Sequence, residues 1–451
     1  MWNQQKMNPN QKLLILAKML TVIIVSSILT FSVSVLVLQI FLGFITIYFS
    51  INSDYKSARL WSNIFLVSMF FSFLVFLGNN IYFGEPYFIG GSDDLMFEEW
   101  GRTIYNFGIY SPSKIIEYNI IGIFNNSVFF TVYIARLIQF ASIFGGYTTF
   151  LPRVANVHFF IWICMIIKYL LTRHTKISQK NIYYSVAVFA FMPSIQYINS
   201  HVFRDTFNFL QVLLIGLLFD LALRKKHIVR FASLILIPII AYSAYYTRAS
   251  SILFAVILVV FIISSRYKIR IRYIIPIVLP LMLLSDILVV FKVGQFIEVY
   301  SNYLLGSSDG GLSSVVFSQP LLPFGILFRT IYAFVSPFPD LFLFKEPSKI
   351  LLDLIQLAKN IGVFLQIIFI PFVIKRALKL DWIALIFLSW FLPIIASTFT
   401  FRHFLFFYPF MSALAIDGYM NTNKRARKNI LYSSIFIVIC LSLVYVSLKF
   451  L

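Results

Sequence analysis

Long apolar stretches recur along the chain and constrain its fold more than any other feature, because each is close to the ~20 residues that cross the hydrocarbon layer of a bilayer. Of the 451 residues 60% are hydrophobic and 12% are charged, and the mean hydropathy is +0.87. Backbone polar groups in lipid must pair within the protein, so continuous apolar runs predict helices rather than the alternating strands of a barrel. We expect an all-α polytopic membrane helix bundle that forms a single integral membrane domain over residues 1–451.

Basic residues predict how this bundle is oriented. Short cytoplasmic loops gather Lys and Arg, and we expect all six basic groups of the chain to lie inside. They are Lys56 with Arg59; Arg173, Lys176 and Lys180; Arg224, Lys225, Lys226 and Arg230; Arg266, Lys268, Arg270 and Arg272; Lys375, Arg376 and Lys379; and Lys424, Arg425, Arg427 and Lys428.

Window hydropathy between these groups predicts about 13 transmembrane helices. They cover 13–29, 33–50, 60–79, 154–171, 182–199, 206–223, 231–247, 250–265, 273–290, 356–374, 382–398, 403–419 and 430–448. Segments 127–145 and 319–342 are also apolar, but counting either alone as a span puts the next basic group outside. We interpret both as amphipathic helices on the outer surface, within two long extracytoplasmic loops at 80–153 and 291–355.

The predicted topology separates acid from base. Among the 17 Asp and Glu residues, 13 lie outside, and only Asp54, Asp220, Asp381 and Asp417 face the cytoplasm. Orientation in the membrane and anionic inner-leaflet lipid explain the net charge of +20, so nucleic acid is not needed as a partner. We expect a multi-pass protein of the plasma (inner) membrane, with the bilayer as partner and its active site on the extracytoplasmic side.

Four carboxylates within seven residues of the first long loop are the main candidates for chemistry: Asp93, Asp94, Glu98 and Glu99. A positioned carboxylate can remove a proton from an acceptor group, and paired carboxylates can bind a hard divalent cation. The structural alternative is charge at a helix N-terminus, which contributes up to about 1 kcal/mol, with Asp93 as the cap. No residue spacing requires a cofactor. A divalent cation stays open, and which residues would bind it is unknown.

Arginines at the tips of three predicted outer hairpins are the second group of candidates: Arg204, Arg248 and Arg402. Ionisable groups at membrane depth are costly and usually line a cavity, and a guanidinium fork fits phosphate oxygens. Interfacial arginines that reach toward water are the simpler alternative. His201, Asp205 and His403 lie beside these arginines as supporting candidates.

Residues 92–102, Ser-Asp-Asp-Leu-Met-Phe-Glu-Glu-Trp-Gly-Arg, resemble the first-loop signature of the GT-C superfamily of membrane glycosyltransferases, which use polyprenyl-phosphate sugars and include protein mannosyltransferases and aminoarabinose transferases. The order of motifs is similar further along, at Ile-Phe-Gly 143–145, Arg-Val-Ala-Asn 153–156, Pro-Ser 193–194 and Arg-Asp 204–205. The resemblance covers about residues 80–250.

This resemblance implies transfer of a sugar from a polyprenyl-phosphate carrier to a glycan, lipid or protein acceptor at the outer membrane face. Asp93 aligns with the family's catalytic aspartate and is the expected base, with Asp94 as an orienting or alternative acid. Glu98 and Glu99 would support the acceptor or a metal. Arg204, Arg248 and Arg402 would hold the donor phosphate.

Two other classes stay open. A polymerase or ligase of surface polysaccharide, such as O-antigen or capsule, would depend on Arg402 and His403 rather than Asp93. A flippase for lipid-linked oligosaccharides would show broken helices and internal repeats, and residues 1–225 and 226–451 show no such correspondence.

Overall fold

A computed structural model describes residues 7–87, 93–122, 127–224, 227–269, 316, 319, 324–335, 341–397 and 401–450. Within these residues the chain forms helices and no strand. The α-helices are Pro9–Thr30 (α1), Val33–Ile51 (α2), Tyr55–Phe83 (α3), Asp93–Phe107 (α4), Pro112–Glu117 (α5), Val128–Ile143 (α6), Phe150–His174 (α7), Gln179–Phe191 (α8), Pro193–Asn199 (α9), Arg204–Arg224 (α10), His227–Thr247 (α11), Ser251–Tyr267 (α12), Ile326–Val335 (α13), Ile350–Ala377 (α14), Trp382–Ser397 (α15), Phe404–Met420 (α16) and Lys424–Phe450 (α17). Short 3₁₀ helices lie at Pro347–Lys349 and Phe401–His403.

Eight helices among the described residues are long and apolar enough to cross a bilayer, as expected for an all-α membrane bundle: α1, α2, α3, α7, α10, α11, α14 with its leading 3₁₀ turn, and α17. The predicted number of about 13 spans is not confirmed. Helices α12, α15 and α16 coincide with predicted spans but have fewer than the 18 residues required of the eight helices above. The predicted span 273–290 lies outside the described residues, as does most of the loop 291–355.

A proline divides one predicted span. Residues 182–199 form two helices, because Pro193 has no N–H for the helix that precedes it and suits the first position of the next. Helix α8 therefore ends at Phe191 and α9 begins at Pro193.

The chain forms two compact units. Unit 1 contains Met1–Arg173, Ile177–Ile252 and Phe342–Lys359; unit 2 contains His174–Lys176, Leu253–Leu341 and Asn360–Leu451. In unit 2, the buried Trp390 packs edge-on against Phe410, and Arg376 binds Asp417 at 2.6 Å.

The longer helices of unit 1 alternate in direction, with α8 and α9 counted as one divided helix, so their termini meet at two ends. We call one the site end; here α3, α9 and α11 finish and α7 and α10 begin. At the opposite end, Asp54 before α3 contacts Lys168 of α7, and Tyr169 of α7 contacts Asp220 of α10.

Helix α6, the expected surface helix 127–145, packs among the longer helices of unit 1. Its buried residues include Val128, Thr131 and Ile134. Tyr133 of α6 stacks on Phe207 of α10, with ring centroids 4.7 Å apart. Helix α6 therefore packs inside unit 1, where it also contacts α4.

Candidate functional site

Helix α4 presents two of its four acids to the interior of unit 1. Asp94 and Glu98 are buried, Asp93 is half-buried and Glu99 is exposed. Residues four apart share a helix face, so the buried pair lies on the face that packs on α6. Packing there is close, because a Cβ added at Gly101 would lie 2.5 Å from Cγ2 of Ile134. The α4–α6 contact therefore fixes the direction in which Asp94 and Glu98 point.

Asp94 lies between a histidine and an arginine. The Nδ1 atom of His201 is 3.3 Å from Oδ2 of Asp94, and Nη2 of Arg153 is 3.9 Å from the same oxygen. All three side chains are at most 1% exposed. A carboxylate only accepts hydrogen bonds, so Nδ1–H of His201 is the donor. Asp94 thereby sets the orientation and tautomer of the imidazole.

Arg153 and Asn156, one turn apart on α7, hold the connection between α9 and α10. Arg153 donates to the carbonyl of Ser200 at 3.0 Å and also to the carbonyl of Pro86. Asn156 donates to the carbonyl of His201 at 2.9 Å. The backbone on both sides of the imidazole is therefore anchored to α7.

Two buried polar atoms of this cluster make no hydrogen bond with any described residue. They are Nε2 of His201 and Nε of Arg153. Unpaired buried polar atoms are rare in native proteins, and functional sites are one place where they occur. Since Nδ1 carries the proton, Nε2 of a neutral His201 offers a lone pair to a ligand.

Burial lowers the pKa of His201, the hydrogen bond to Asp94 opposes that shift, and the positive charges of Arg153 and Lys359 reinforce it. The imidazole is consequently neutral at pH 7 and can accept a proton.

Glu98 forms a second polar group next to Asp94. Its Oε1 accepts from Arg102 at 3.0 Å and from Thr149 at 3.4 Å. Burial and the neighbouring Glu98 raise the pKa values of Tyr87 and Tyr147. Glu98 thus ties α4 to the loop that leads into α7.

Two of the three predicted arginines lie at the site end. Arg248 follows α11 and is 3.7 Å from Asp205 (Nη1 to Oδ1), and Arg204 donates to the hydroxyl of Ser127. The third, Arg402, belongs to unit 2 together with His403. The roles predicted for Arg402 and His403 remain predictions.

Lys359 is a site residue that sequence analysis did not identify. Its ammonium lies 3.9 Å from the ring centroid of Tyr197, and Tyr197 packs edge-on against His201 with centroids 4.5 Å apart. A lone lysine inside the predicted span 356–374 was the available signal, because charged groups within spans usually serve a site.

The side chains around His201 are suited to proton transfer. No group of three or more His, Cys, Asp or Glu side chains that could hold a metal ion occurs among the described residues. The site instead combines a neutral imidazole oriented by a carboxylate with several cations nearby, which suits proton removal beside a leaving anion.

Comparison with protein families, with curated proteins and with solved structures gives no match to this chain. The resemblance of residues 80–250 to GT-C enzymes therefore stays a prediction, and the function must be argued from the site.

Proposed function

We propose that the protein is a membrane glycosyltransferase that moves a sugar from a polyprenyl-phosphate carrier to an acceptor at the outer membrane face. The observation that carries the proposal is the buried pair of Asp94 and His201, in which Nε2 of His201 makes no hydrogen bond with a described residue. A neutral, oriented imidazole in a water-poor site is suited to accept a proton from a hydroxyl or amine.

In the proposed reaction, the acceptor oxygen or nitrogen attacks C1 of the sugar while the bond from C1 to the phosphate oxygen breaks. The acceptor proton passes to Nε2 of His201, and the bonding electron pair leaves with polyprenyl phosphate. Asp94 stabilises the imidazolium that forms. The half-buried Asp93, the expected base from the resemblance, would lie next to this pair at the start of α4.

The leaving phosphate needs positive charge. Arg204 and Arg248 are candidates at the site end, and Lys359 adds a cation whose ammonium lies against Tyr197. Guanidinium groups hold phosphate oxygens through paired hydrogen bonds. Glu98, with Thr149 beside it, would line the acceptor side of the site.

The test is transfer of labelled sugar by the purified protein in liposomes, from a panel of polyprenyl-phosphate hexoses and pentoses to acceptors in added native membranes. Wild type is expected to transfer from at least one donor, and Asp94→Asn to lose about 10²-fold or more. Asp220→Asn is the matched control, because Asp220 is an equally buried carboxylate at the opposite end.

Equal activity of Asp94→Asn and wild type contradicts the proposal. Asp93→Asn, measured in the same assay, shows whether the reaction needs Asp93, Asp94 or both. Loss confined to Arg402→Ala and His403→Ala supports a polymerase, and export of lipid-linked sugar unaffected by Asp94→Asn supports a flippase.

A further inference from the structure

An apolar groove runs along the outside of unit 1 between α1 and α3. It has a volume of about 170 Å³ and is lined by residues that include Thr21, Val25 and Leu29 of α1 and Leu66, Phe70 and Phe73 of α3. At a rise of 1.5 Å per residue, the nine residues from 21 to 29 extend over roughly 12 Å of helix. A volume of about 170 Å³ spread over that length leaves room for one hydrocarbon chain rather than two.

The two hydroxyls that line the groove donate hydrogen bonds to backbone carbonyls of their own helix. Thr21 donates to the carbonyl of Ala17 at 2.9 Å, and Ser26 donates to the carbonyl of Val22 at 2.7 Å. The open side of the groove is apolar, since Val25, Leu66 and Phe70 are each more than 40% exposed. On two candidate spans, such a surface faces hydrocarbon and offers nothing to a sugar or a peptide.

The groove leads toward the catalytic cluster. Phe73, at its end nearest the site, packs edge-on against Phe150 at the start of α7, and Phe150 contacts Phe76. The guanidinium of Arg153 lies 5.7 Å from the Phe76 ring centroid, and Ser72 donates to the hydroxyl of Ser200, next to His201. One turn of α3 thus separates the apolar groove from the residues that orient the proposed base.

We propose that the α1–α3 groove holds the first isoprenoid units of the donor lipid while its phosphate lies at the site end of unit 1. This inference rests on the proposed function, but the groove lies outside residues 80–250, where the resemblance to other enzymes is found. A groove for a single chain, ending beside a polar cluster, suits a lipid with one tail on its phosphate better than a lipid with two.

The experiment uses the full-length protein in liposomes and a polyprenyl phosphate that carries a photoreactive diazirine in its second isoprene unit. After irradiation, peptide mapping is expected to find the label within residues 21–29 and 66–73. Unlabelled polyprenyl phosphate should compete with the probe, whereas dioleoylphosphatidylglycerol should not.

Leu66→Trp fills the groove and is expected to reduce groove labelling about tenfold. Leu234→Trp is the matched control, because Leu234 is an exposed leucine of α11 that does not line the groove. Val25→Trp on the facing wall gives a second variant should Leu66→Trp fail to fold.

Labelling spread evenly over the apolar helices, or displaced equally by the phospholipid, overturns the groove assignment. Sugar transfer without groove labelling overturns only this inference. Groove labelling by a wild-type protein that transfers no sugar overturns only the proposed function.

Discussion

Both ends of unit 1 contain carboxylates surrounded by polar groups, but the two ends satisfy them differently. At the opposite end, Asp220 binds Arg224 at 2.6 Å and the hydroxyl of Tyr169 at 2.8 Å. Asp54 caps α3 through the backbone N–H of Ser57 at 3.0 Å and binds Lys168 at 3.2 Å. At the site end, the corresponding distances from Asp94 are 3.3 Å and 3.9 Å, although its partners His201 and Arg153 are more deeply buried than Lys168 and Arg224.

This difference distinguishes the structural ion pairs of the opposite end from the candidate site around Asp94. Short contacts that use the polar atoms of both partners offset the cost of removing charge from water. Longer contacts that leave Nε2 of His201 and Nε of Arg153 without a partner among the described residues keep hydrogen-bonding capacity for a ligand. Unit 1 thus holds its helices together at one end and, in our proposal, performs chemistry at the other.

The largest expected contrast comes from removing the neutral partner of each carboxylate. His201→Gln should lower the rate of transfer by about 10²- to 10⁴-fold, because the proton acceptor is lost. Tyr169→Phe removes only a hydrogen bond to Asp220 and should leave the rate within about threefold of wild type. The measurement is kcat in the liposome assay, and similar losses in both variants would remove the distinction between the ends.

The two ends should also differ in how much unfolding free energy is lost when the cation beside each carboxylate is replaced. Arg153→Met leaves the buried Asp94 without its cation and should cost about 3–5 kcal/mol of unfolding free energy. Lys168→Met breaks a pair whose side chains are 21% and 25% exposed, and should cost about 1 kcal/mol or less. Denaturant unfolding in detergent measures both, and a smaller loss for Arg153→Met than for Lys168→Met would contradict the assignment.

The two ends should also respond to acid over different pH ranges. Burial lowers the pKa of His201 from 6.5, so the folded protein binds this proton less readily than the unfolded chain, and stability falls as the pH drops below about 6.5. Transfer falls too once the imidazole is protonated. Burial alone would raise the pKa of Asp54, but the hydrogen bond from Ser57 and the charge of Lys168 lower it from 3.8, so its contribution is lost only below about that pH.

Stability followed from about pH 2 to pH 8, and transfer followed from about pH 4 to pH 8, test this contrast. His201→Gln is the control that removes the loss of stability below about pH 6.5. An unchanged profile in His201→Gln would show that another group titrates there.

The smallest contrast lies within α4. Glu98→Gln weakens the contacts with Arg102 and Thr149 and should cost about 1 kcal/mol. Glu99→Gln alters an exposed side chain and should stay within about 0.5 kcal/mol of wild type, with unchanged transfer. Thermal unfolding of the two variants measures the difference, and a larger effect at Glu99 would contradict the burial of the Glu98 face of α4.

The all-α class and the positions of most helices were predictable, because a helix that spans a membrane has to be apolar and long enough to cross the hydrocarbon layer. The division at Pro193 was predictable in principle from its missing N–H but was not anticipated. The sequence did not allow us to predict which acid of α4 is buried. Asp93 and Asp94 differ only in the helix face they occupy, and the buried face depends on the packing of Gly101 against Ile134. Lys359 is distant in sequence, so only the fold brings it to Tyr197.

The most direct test of the central claim is an experimental structure of the full-length protein in a lipid nanodisc with added polyprenyl phosphate. Phosphate density at the site end of unit 1, beside Arg248 and on the His201 side of Asp94, is the result predicted here. Phosphate density at the opposite end, beside Asp54 or Asp220, would contradict it.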